Sequence, residues 1–344
     1  MEILDLNEDT LKFYKECFDK NELPKEEEII RWQFFENGEK NFVDIEHDFS
    51  AEKTAAIYAT FGIKFKIDGK IYSGSQSLDT ITDINYRGKG LFIKLAKDVY
   101  QKSKENDVAL VYGFPNANSI HGFVTKLEWQ KLDPLPFIIK PLHSKFFTDK
   151  IKALRFLPNF SLSYSSFKQK KSLLIKEEKD FPEAVNAIWE KFSKNIKISV
   201  HRNKSYLNWR YVMKPGEDYK IVNCYDEKNN YLGFIVYAVK EKHKGIIGYI
   251  MELIYDLDNP EAGKQLLNFA VSEIKKQKAD CILSWCFEHS PNYQVYKKAF
   301  FIKMPEKLRP IILHFAARTF NEKLKTIIEN RNNWFISYSD SDTV

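Results

Sequence analysis

A basic, glycine-containing turn is the segment of this sequence best suited to chemistry. Over residues 79–92 a predicted strand ends, the chain passes through Arg-Gly-Lys-Gly at 87–90, and an amphipathic helix begins. Two glycines allow backbone N–H groups to crowd around an anion, and a helix N-terminus adds unpaired N–H groups and the positive end of its dipole. The spacing is that of neither a P-loop nor GxGxxG. The turn predicts a pyrophosphate site, and an ordinary glycine-rich connection is the alternative.

The turn resembles the acyl-CoA-binding motif of the GNAT superfamily of N-acetyltransferases, Q/R-x-x-G-x-G/A. Arg87 and Gly90 match its first two positions, whereas Phe92 stands at the third, where a small residue is usual, so a reshaped pocket is expected. Gly-Phe-Pro-Asn at 113–116 follows the presumed fifth strand, and GNAT proteins found with bacterial surface-polysaccharide genes carry similar sequences at both places. The resemblance implies acetyl-CoA, or another acyl-CoA, as co-substrate. It implies cofactor contacts from Thr80, Ile81, Thr82, Arg87, Gly88, Lys89, Gly90, Leu91, Phe92, Asn116 and Ser119.

Acyl transfer to an amine needs a base for the amine proton and an acid for the leaving thiolate. Asp79, on the motif strand upstream of the turn, is the predicted base, and turn support is an equally good explanation for it. The tyrosine that GNAT enzymes often use as acid is absent, since Phe123 and Val124 stand at the alignable positions. His121 is the candidate acid because histidine exchanges protons near neutral pH, with a surface role as the alternative. Val344 is a rival base, because some tandem-GNAT enzymes that this chain resembles use the terminal carboxylate.

The composition is that of a globular protein, and the residue spacings indicate no metal site. Hydrophobic residues make up 44% and charged residues 29% of 344, which is enough chain for about two domains. The cysteines are scattered, the N-terminal residues are acidic, and no apolar run approaches the ~20 residues that span a bilayer, so a cytoplasmic protein without a membrane span is expected. Histidine and cysteine spacings match neither metal sites nor a triad hydrolase.

The charge is divided unevenly along the chain. Residues 1–145 carry a net charge of −4 and the remainder +10, with seven basic residues and one aspartate between 146 and 176. Such a stretch could contact nucleic acid, but no nucleic-acid motif accompanies it, so we prefer a solvated linker and expect no nucleic-acid partner. The predicted division is an N-terminal domain at 1–145, a basic linker at 146–175 and a C-terminal domain at 176–344.

Alternating helix and strand signals around the turn predict a mixed α/β fold. An Asp-Gly turn at 68–69 joins two of the strands into an antiparallel hairpin. Near the C-terminus, the pattern predicts a long helix over 308–328 and a last strand over 334–338. In the first half the expected helices lie at 11–18, 26–35, 91–103 and 119–127, and the strands at 55–65, 70–74, 76–84 and 108–114.

Three weak matches suggest that the chain contains two copies of one domain. Trp32 parallels Trp209 at an offset of 177, and Phe114 parallels Phe287 at 173. The segment from Phe123 to Trp129 parallels that from Tyr296 to Ile302 at the same 173 offset. Chance similarity in a chain rich in aromatic residues is the alternative. The predicted fold is therefore α/β, with two GNAT-like mixed-sheet domains in tandem.

The second copy is expected to be degenerate. At an offset of 174, Glu261 stands where the first copy has Arg87, and its charge would repel the pyrophosphate that an arginine attracts. The C-terminal domain is therefore predicted to bind no CoA and to shape the acceptor pocket.

The sequence predicts an acyl-CoA-dependent N-acyltransferase. Its acceptor would be a small amine such as an amino-sugar intermediate, and this acceptor class follows only from the family resemblance. One alternative is a non-catalytic acyl-CoA-binding or scaffold protein, which Phe92 and the missing tyrosine favour. Another is a Fem-type aminoacyl transferase, which uses charged tRNA and would give the basic stretch a role. The intact Arg-Gly-Lys-Gly turn argues against this second alternative.

Overall fold

A computed structural model describes most of the chain. It covers residues 1–144, 148, 156, 158, 160–164, 170, 172–243, 245–309 and 311–341. Most of the predicted basic linker lies outside the described residues, and so does Val344.

Both halves of the chain contain strands and helices. The strands are β1 (Glu2–Asp5), β2 (Phe42–Asp48), β3 (Lys53–Ile67), β4 (Lys70–Thr82), β5 (Leu110–Gly113), β6 (Gln130–Lys131), β7 (Phe137–Pro141), β8 (Leu173–Glu178), β9 (Ile198–Val200), β10 (Lys220–Asp226), β11 (Tyr231–Lys242), β12 (Gly245–Tyr255), β13 (Cys281–Trp285), β14 (Ile302–Lys303) and β15 (Ala316–Thr319). The helices are α1 (Leu11–Lys20), α2 (Glu27–Phe34), α3 (Leu91–Glu105), α4 (Ile120–Lys126), α5 (Val185–Phe192), α6 (Lys204–Leu207), α7 (Pro260–Lys276), α8 (Tyr293–Lys298) and α9 (Lys325–Ile328).

Two mixed sheets have the same strand order. The first runs β1-β2-β3-β4-β5-β15-β6, with β9 also pairing with β3, and the second runs β8-β10-β11-β12-β13-β7-β14. In each sheet one neighbouring pair is parallel, β4 with β5 and β12 with β13, and the other pairs along this order are antiparallel. The predicted α/β class with two mixed sheets is confirmed.

Each half of the chain contributes to the sheet of the other, and β9 from the C-terminal half also pairs with β3 of the first sheet. Strand β7, from the N-terminal half, lies between β13 and β14 in the second sheet. Strand β15, from the C-terminal half, lies between β5 and β6 in the first sheet. The boundary predicted at residue 145 therefore follows a strand that completes the second sheet, and the two halves are interlocked.

Local patterns account for the elements around the glycine-containing turn. Leu91 and Leu95 recur at helical spacing in α3 and are buried in the cluster that packs on the first sheet. The β3–β4 hairpin turns at Asp68 and Gly69, both with positive φ, which glycine adopts without steric cost. The predicted N-terminal helices, the hairpin, α3, β5 and α4 are confirmed, and two predicted strand segments join into the single strand β4.

The two predictions for the C-terminal segment are wrong. Instead of a long helix over 308–328, the chain forms β15 and then the short helix α9. Because β5 offers unpaired backbone groups along its edge, pairing with that edge overrides the helical spacing. Instead of a strand over 334–338, the chain is buried and makes an isolated bridge from Trp334 to Ile198 before a 3₁₀ turn.

The halves meet through the pair of tryptophans that suggested the repeat. The rings of Trp32 and Trp209 stack with centroids 4.7 Å apart and planes 11° from parallel. The indole N–H of Trp32 donates to the carbonyl of Trp209 at 2.8 Å, and that of Trp209 donates to the carbonyl of Trp32 at 2.9 Å. This reciprocal contact and the shared strand order support the predicted repeat.

Candidate functional site

Strands β4 and β5 separate at the C-terminal edge of the first sheet. Their parallel pairing runs from Ser75 with Val111 to Ser77 with Gly113, where β5 ends. Strand β4 continues to Thr82, and in the described part of the chain no strand pairs with this extension on the β5 side. Its backbone groups therefore suit an extended ligand laid between the strands. We call this gap the first splay, and the predicted contacts Thr80, Ile81 and Thr82 lie along it.

The turn after β4 presents backbone N–H groups toward the same edge. Gly88 and Gly90 have φ of 80° and 75°, and no heavy atom lies within 4 Å of the Cβ that either would carry. Gly90 is the N-cap of α3, and Lys94 donates the first helical bond to its carbonyl at 3.1 Å. The N–H groups of Leu91 and Phe92 have no acceptor in a preceding turn. This arrangement can hold a phosphate or pyrophosphate.

Two exposed cations flank these N–H groups. The guanidinium of Arg87 reaches the carbonyl of Thr82 at 3.3 Å, and the ammonium of Lys89 lies 4.6 Å from the ring centroid of Tyr86. Among the residues that the structure describes, neither Arg87 nor Lys89 has a carboxylate partner. Both charges are therefore available to an anion at the turn.

Phe92, the departure from the family motif, packs against α4. Its ring lies 5.1 Å from that of Phe123 and 6.0 Å from that of Tyr58, centroid to centroid. A Cβ built on Gly122 would lie 2.8 Å from Cε1 of Phe92. The large residue on α3 is thus matched by a glycine on α4, a compensation that the motif comparison missed.

Asn116 and Ser119 lie beyond the end of β5, at the start of α4. The Oδ1 atom of Asn116 accepts from the N–H groups of Asn118 at 3.0 Å and Ser119 at 3.1 Å. Both predicted contact residues lie at the same edge of the sheet as the turn, with Asn116 exposed and Ser119 partly buried. His121, one turn further, is exposed on α4 and does not line the cleft that contains Asp79. Its role as an acid stays a prediction.

Asp79 sits on a bulge of β4 and faces the interior. The pairing of β3 with β4 shifts register beside it, and its φ of 48° is positive. Oδ2 of Asp79 accepts the hydroxyl of Tyr14 at 2.7 Å and pairs with the ammonium of Lys25. Burial, and next the Asp79 carboxylate, raise the pKa of Tyr14 well above its ordinary value, so its hydroxyl stays a donor.

Asp79 opens into a cleft of about 240 Å³ between the two halves. Aromatic side chains and three cations surround it, and the C-terminal segment, through Ser339 and Ser341, forms one wall. The lining residues are Lys25, Ile29, Trp32, Gln33, Phe61, Gln76, Asp79, Tyr206, Trp209, Arg210, Lys214, Ser339 and Ser341. Apart from Asp79, sequence reasoning assigned none of these a role at the site. The repeat signal at Trp32 and Trp209 pointed to this place, and so did the tail that was proposed to carry the rival base.

The corresponding gap in the second sheet is filled by the protein itself. Strands β12 and β13 pair from Ile247 to Tyr249, and β12 then continues as β4 does. Here the hydroxyl of Ser284 donates to the carbonyl of Ile250, and the amide of Asn292 donates to the carbonyl of Leu253, both at 3.0 Å. We call this filled gap the second splay.

The C-terminal segment covers the second splay through a buried ionic network. Arg202 contacts Glu252 of β12 and Asp340 of the tail, both at 2.6 Å, and all three side chains are at most 1% exposed. The hydroxyls of Ser337 and Ser339 also donate to Glu252 at 3.0 Å. Burial raises the pKa of Asp340 to about 6, against the opposing effect of Arg202.

The turn before α7 lacks the features of its counterpart. Pro260 is the first residue of α7, and Glu261 lies in its first turn, bonded to Lys264 at 3.0 Å and Gln265 at 3.1 Å. Burial works against these contacts, but together they keep the pKa of Glu261 below its ordinary value. A carboxylate therefore occupies the helix end that would have to receive a phosphate.

Comparisons with known proteins agree with this geometry. Residues 5–131 match the sequence profile of the family described as Acetyltransferase (GNAT) domain. These residues are therefore similar to a GNAT domain, and the predicted enzyme class, an acyl-CoA-dependent N-acyltransferase, is confirmed. No curated protein sequence matches the chain.

Two solved structures share the fold across both halves. A protein of unknown function from Enterococcus faecalis V583, titled a probable N-acyltransferase, is 12% identical with a TM-score of 0.65, covering 93% of this chain and 72% of that one. Saccharomyces cerevisiae N-myristoyltransferase with bound myristoyl-CoA is 12% identical with a TM-score of 0.60, covering 92% and 82%. In the described residues no helix is long and apolar enough to cross a membrane, and no cluster of side chains is suited to a metal ion.

Proposed function

We propose that this protein is a two-copy GNAT enzyme that transfers an acetyl group from acetyl-CoA to the amine of a small acceptor. In this proposal the pyrophosphate binds at the 87–90 turn, the pantetheine arm lies along the first splay, and the acceptor enters the Asp79 cleft. The second half binds no cofactor and forms the far wall of the cleft.

The observation that carries the proposal is the position of Asp79 between the first splay and the cleft, the two places proposed for the acyl donor and the acceptor. It lies on the β4 extension, along the first splay, and it also lines the cleft between the halves. A thioester in the splay and an amine in the cleft would therefore meet beside one carboxylate.

The proposed chemistry is direct transfer. Asp79 accepts a proton from the acceptor amine, while Tyr14 and Lys25 orient the carboxylate through Oδ2. His121 is the proposed acid for the thiolate. A carboxylate of the C-terminal tail stays the rival base, and Ser341 of the same tail lines the cleft.

An amino sugar is the proposed acceptor, and the cytoplasm the proposed location. The rings of Trp32, Phe61 and Trp209 in the cleft offer apolar faces that suit a sugar ring. All four cysteines are buried, which fits a compartment that keeps thiols reduced.

Calorimetry with acetyl-CoA, followed by a thiol-release screen over amino sugars, tests the proposal. We expect binding to the unmodified chain and release of CoA thiol that depends on an added amine. Binding without amine-dependent release would support the alternative of a non-catalytic acyl-CoA-binding protein. Absence of binding would refute the proposed function.

A further inference from the structure

The Asp79 cleft already contains a primary ammonium that belongs to the protein. Lys25 lies in the connection between α1 and α2, and its side chain is 14% exposed. Its Nζ contacts Oδ2 of Asp79 and Oε1 of Gln33. The rings of Phe18 and Phe34 lie 5.7 and 5.8 Å from the same nitrogen. Two acceptor oxygens and two aromatic rings therefore hold this amine at one point of the cleft.

That point is where the proposed reaction needs an amine. Asp79 lies along the β4 extension that borders the first splay, in which the proposed function places the thioester. An amine in contact with Asp79 is consequently close to both the acyl donor path and the proposed base. The carboxylate that would take the proton of an acceptor already touches the ammonium of Lys25.

We propose that Lys25 is an acylation site, modified on Nζ by the acyl-CoA that the same chain binds. This inference rests on the proposed function. One proton passes from the Lys25 ammonium to Asp79, and the neutral nitrogen attacks the thioester carbonyl. The C–N bond forms and the C–S bond breaks. Of the two protons left on the nitrogen, one passes to the departing thiolate and the other stays on the amide, so the products are an amide and CoA thiol without any change in oxidation state.

The modification has a direct consequence for the cleft. An amide nitrogen carries no charge, so acylated Lys25 can no longer form the ion pair with Asp79. Oδ2 of Asp79 keeps the hydroxyl of Tyr14 as its donor. Self-acylation would thus change the charge beside the proposed base.

Lys53 provides a matched comparison within the same chain. It pairs with the buried Asp83 at 3.1 Å, and its side chain is 27% exposed. It does not line the Asp79 cleft. Both lysines are therefore partly buried partners of an aspartate, and they differ in that only Lys25 lines the Asp79 cleft.

The test is peptide mass spectrometry of the full chain incubated with acetyl-CoA and no acceptor. We expect acetylation of Lys25 at an initial rate about tenfold or more above that of Lys53, as positioning would give. Arg87→Glu and Asp79→Asn should each lower the rate at Lys25 toward that of Lys53, while leaving Lys53 unchanged. Lys25→Arg keeps the charge and should remove the modified peptide.

Equal labelling of the two lysines, or labelling of Lys25 that Arg87→Glu does not change, would overturn the inference. Calorimetry on the same preparation distinguishes a failure of self-acylation from a failure of the proposed function. If acetyl-CoA binds and Lys25 is not labelled, self-acylation fails while the proposed function stands. If acetyl-CoA does not bind, both fail.

Discussion

The first and second splays are built from the same strand order, but the first is an open gap and the second is filled by the protein's own side chains. In the first half, β4 extends past β5 along an edge that no described strand pairs with, next to a glycine-containing turn with two exposed cations. In the second half, Ser284 and Asn292 bond the carbonyls of β12, and the C-terminal segment packs against that strand. The comparison teaches that the topology supplies a gap, and local side chains decide whether it receives a ligand.

Electrostatics separate the two helix ends in the same way. Helix α3 begins after Arg87 and Lys89, whereas α7 carries Glu261 in its first turn. Both helix N-termini attract negative charge through their unpaired N–H groups. In α7 that attraction is used by the protein's own carboxylate, so only α3 is left for a phosphate.

Replacing the proposed base should have the largest effect. Asp79→Asn should keep acetyl-CoA affinity and lower turnover by roughly 10²–10⁴-fold, because general-base catalysis is lost. The loss should shrink as the pH rises, since more acceptor amine is then already neutral. Steady-state thiol release against pH measures both effects, with Asp68→Asn, in the β3–β4 turn, as the control. An unchanged rate at neutral pH would exclude Asp79 as the base.

The rival base is tested by a truncation that spares the buried network. Removing residues from Asp340 onward would unpair Arg202, so the truncation should begin at residue 342. If loss of 342–344 alone abolishes turnover with binding intact, a carboxylate of these tail residues has the role assigned to Asp79.

Breaking the buried ionic network that covers the second splay should lower the stability of the fold and leave the affinity for acetyl-CoA unchanged. Arg202→Met leaves Glu252 and Asp340 buried without their partner, which should lower the free energy of unfolding by about 3–5 kcal/mol. Urea unfolding gives this value, and Lys204→Met, at a surface pair, should change little. If Arg202→Met lowers the free energy of unfolding no more than Lys204→Met does, the buried network does not stabilise the covered second splay.

Charge reversal at the first turn should weaken cofactor binding. Arg87→Glu puts a negative charge beside the proposed pyrophosphate, and a charged hydrogen bond is worth about 1.5–3 kcal/mol, so affinity should fall about tenfold or more. Glu261→Gln, at the matching place in the second half, should leave the affinity unchanged. Calorimetry with acetyl-CoA measures both. Native affinity in a folded Arg87→Glu protein would refute the site.

The tail carboxylate should make stability depend on pH. Because burial raises the pKa of Asp340 to about 6, its contribution is fully present below pH ~4 and is lost as the pH rises through 6. Asp340→Asn should reduce the slope of the free energy of unfolding against pH in this range by up to about 1.4 kcal/mol per pH unit. This change in slope is expected whatever the substitution does to the free energy of unfolding at a single pH. Urea unfolding between pH 4 and 7 shows the slope, and equal slopes in the two proteins would contradict the assignment.

The last prediction concerns the packing of α3 on α4. Gly122→Ala places a methyl group 2.8 Å from Phe92 and should destabilise the chain by about 1–3 kcal/mol. Adding Phe92→Ala should remove that penalty, so a double-mutant cycle should show coupling. Additive losses would mean that the two positions do not compensate each other.

Much of the first half could be predicted because its signals are local. The spacing of Leu91 and Leu95, the Asp-Gly turn at 68–69 and the glycines of the 87–90 turn act within a few residues of themselves. The helix predicted over 308–328 failed because its decisive partner, β5, is some two hundred residues away in the sequence. Pairing along a sheet edge leaves no local pattern by which such a partner could be found.

By itself, the sequence determined the glycine-containing turn at 87–90, the elements around it and the absence of such a turn before α7, because glycine conformation, helix periodicity and residue charge are local properties. Only the tertiary structure decided that β7 and β15 change sheets, that the C-terminal segment fills the second splay, and that Lys25 and Tyr14 contact Asp79. Those contacts join residues far apart in the chain. They depend on which surfaces bury each other when the halves interlock, and no short stretch of sequence specifies that.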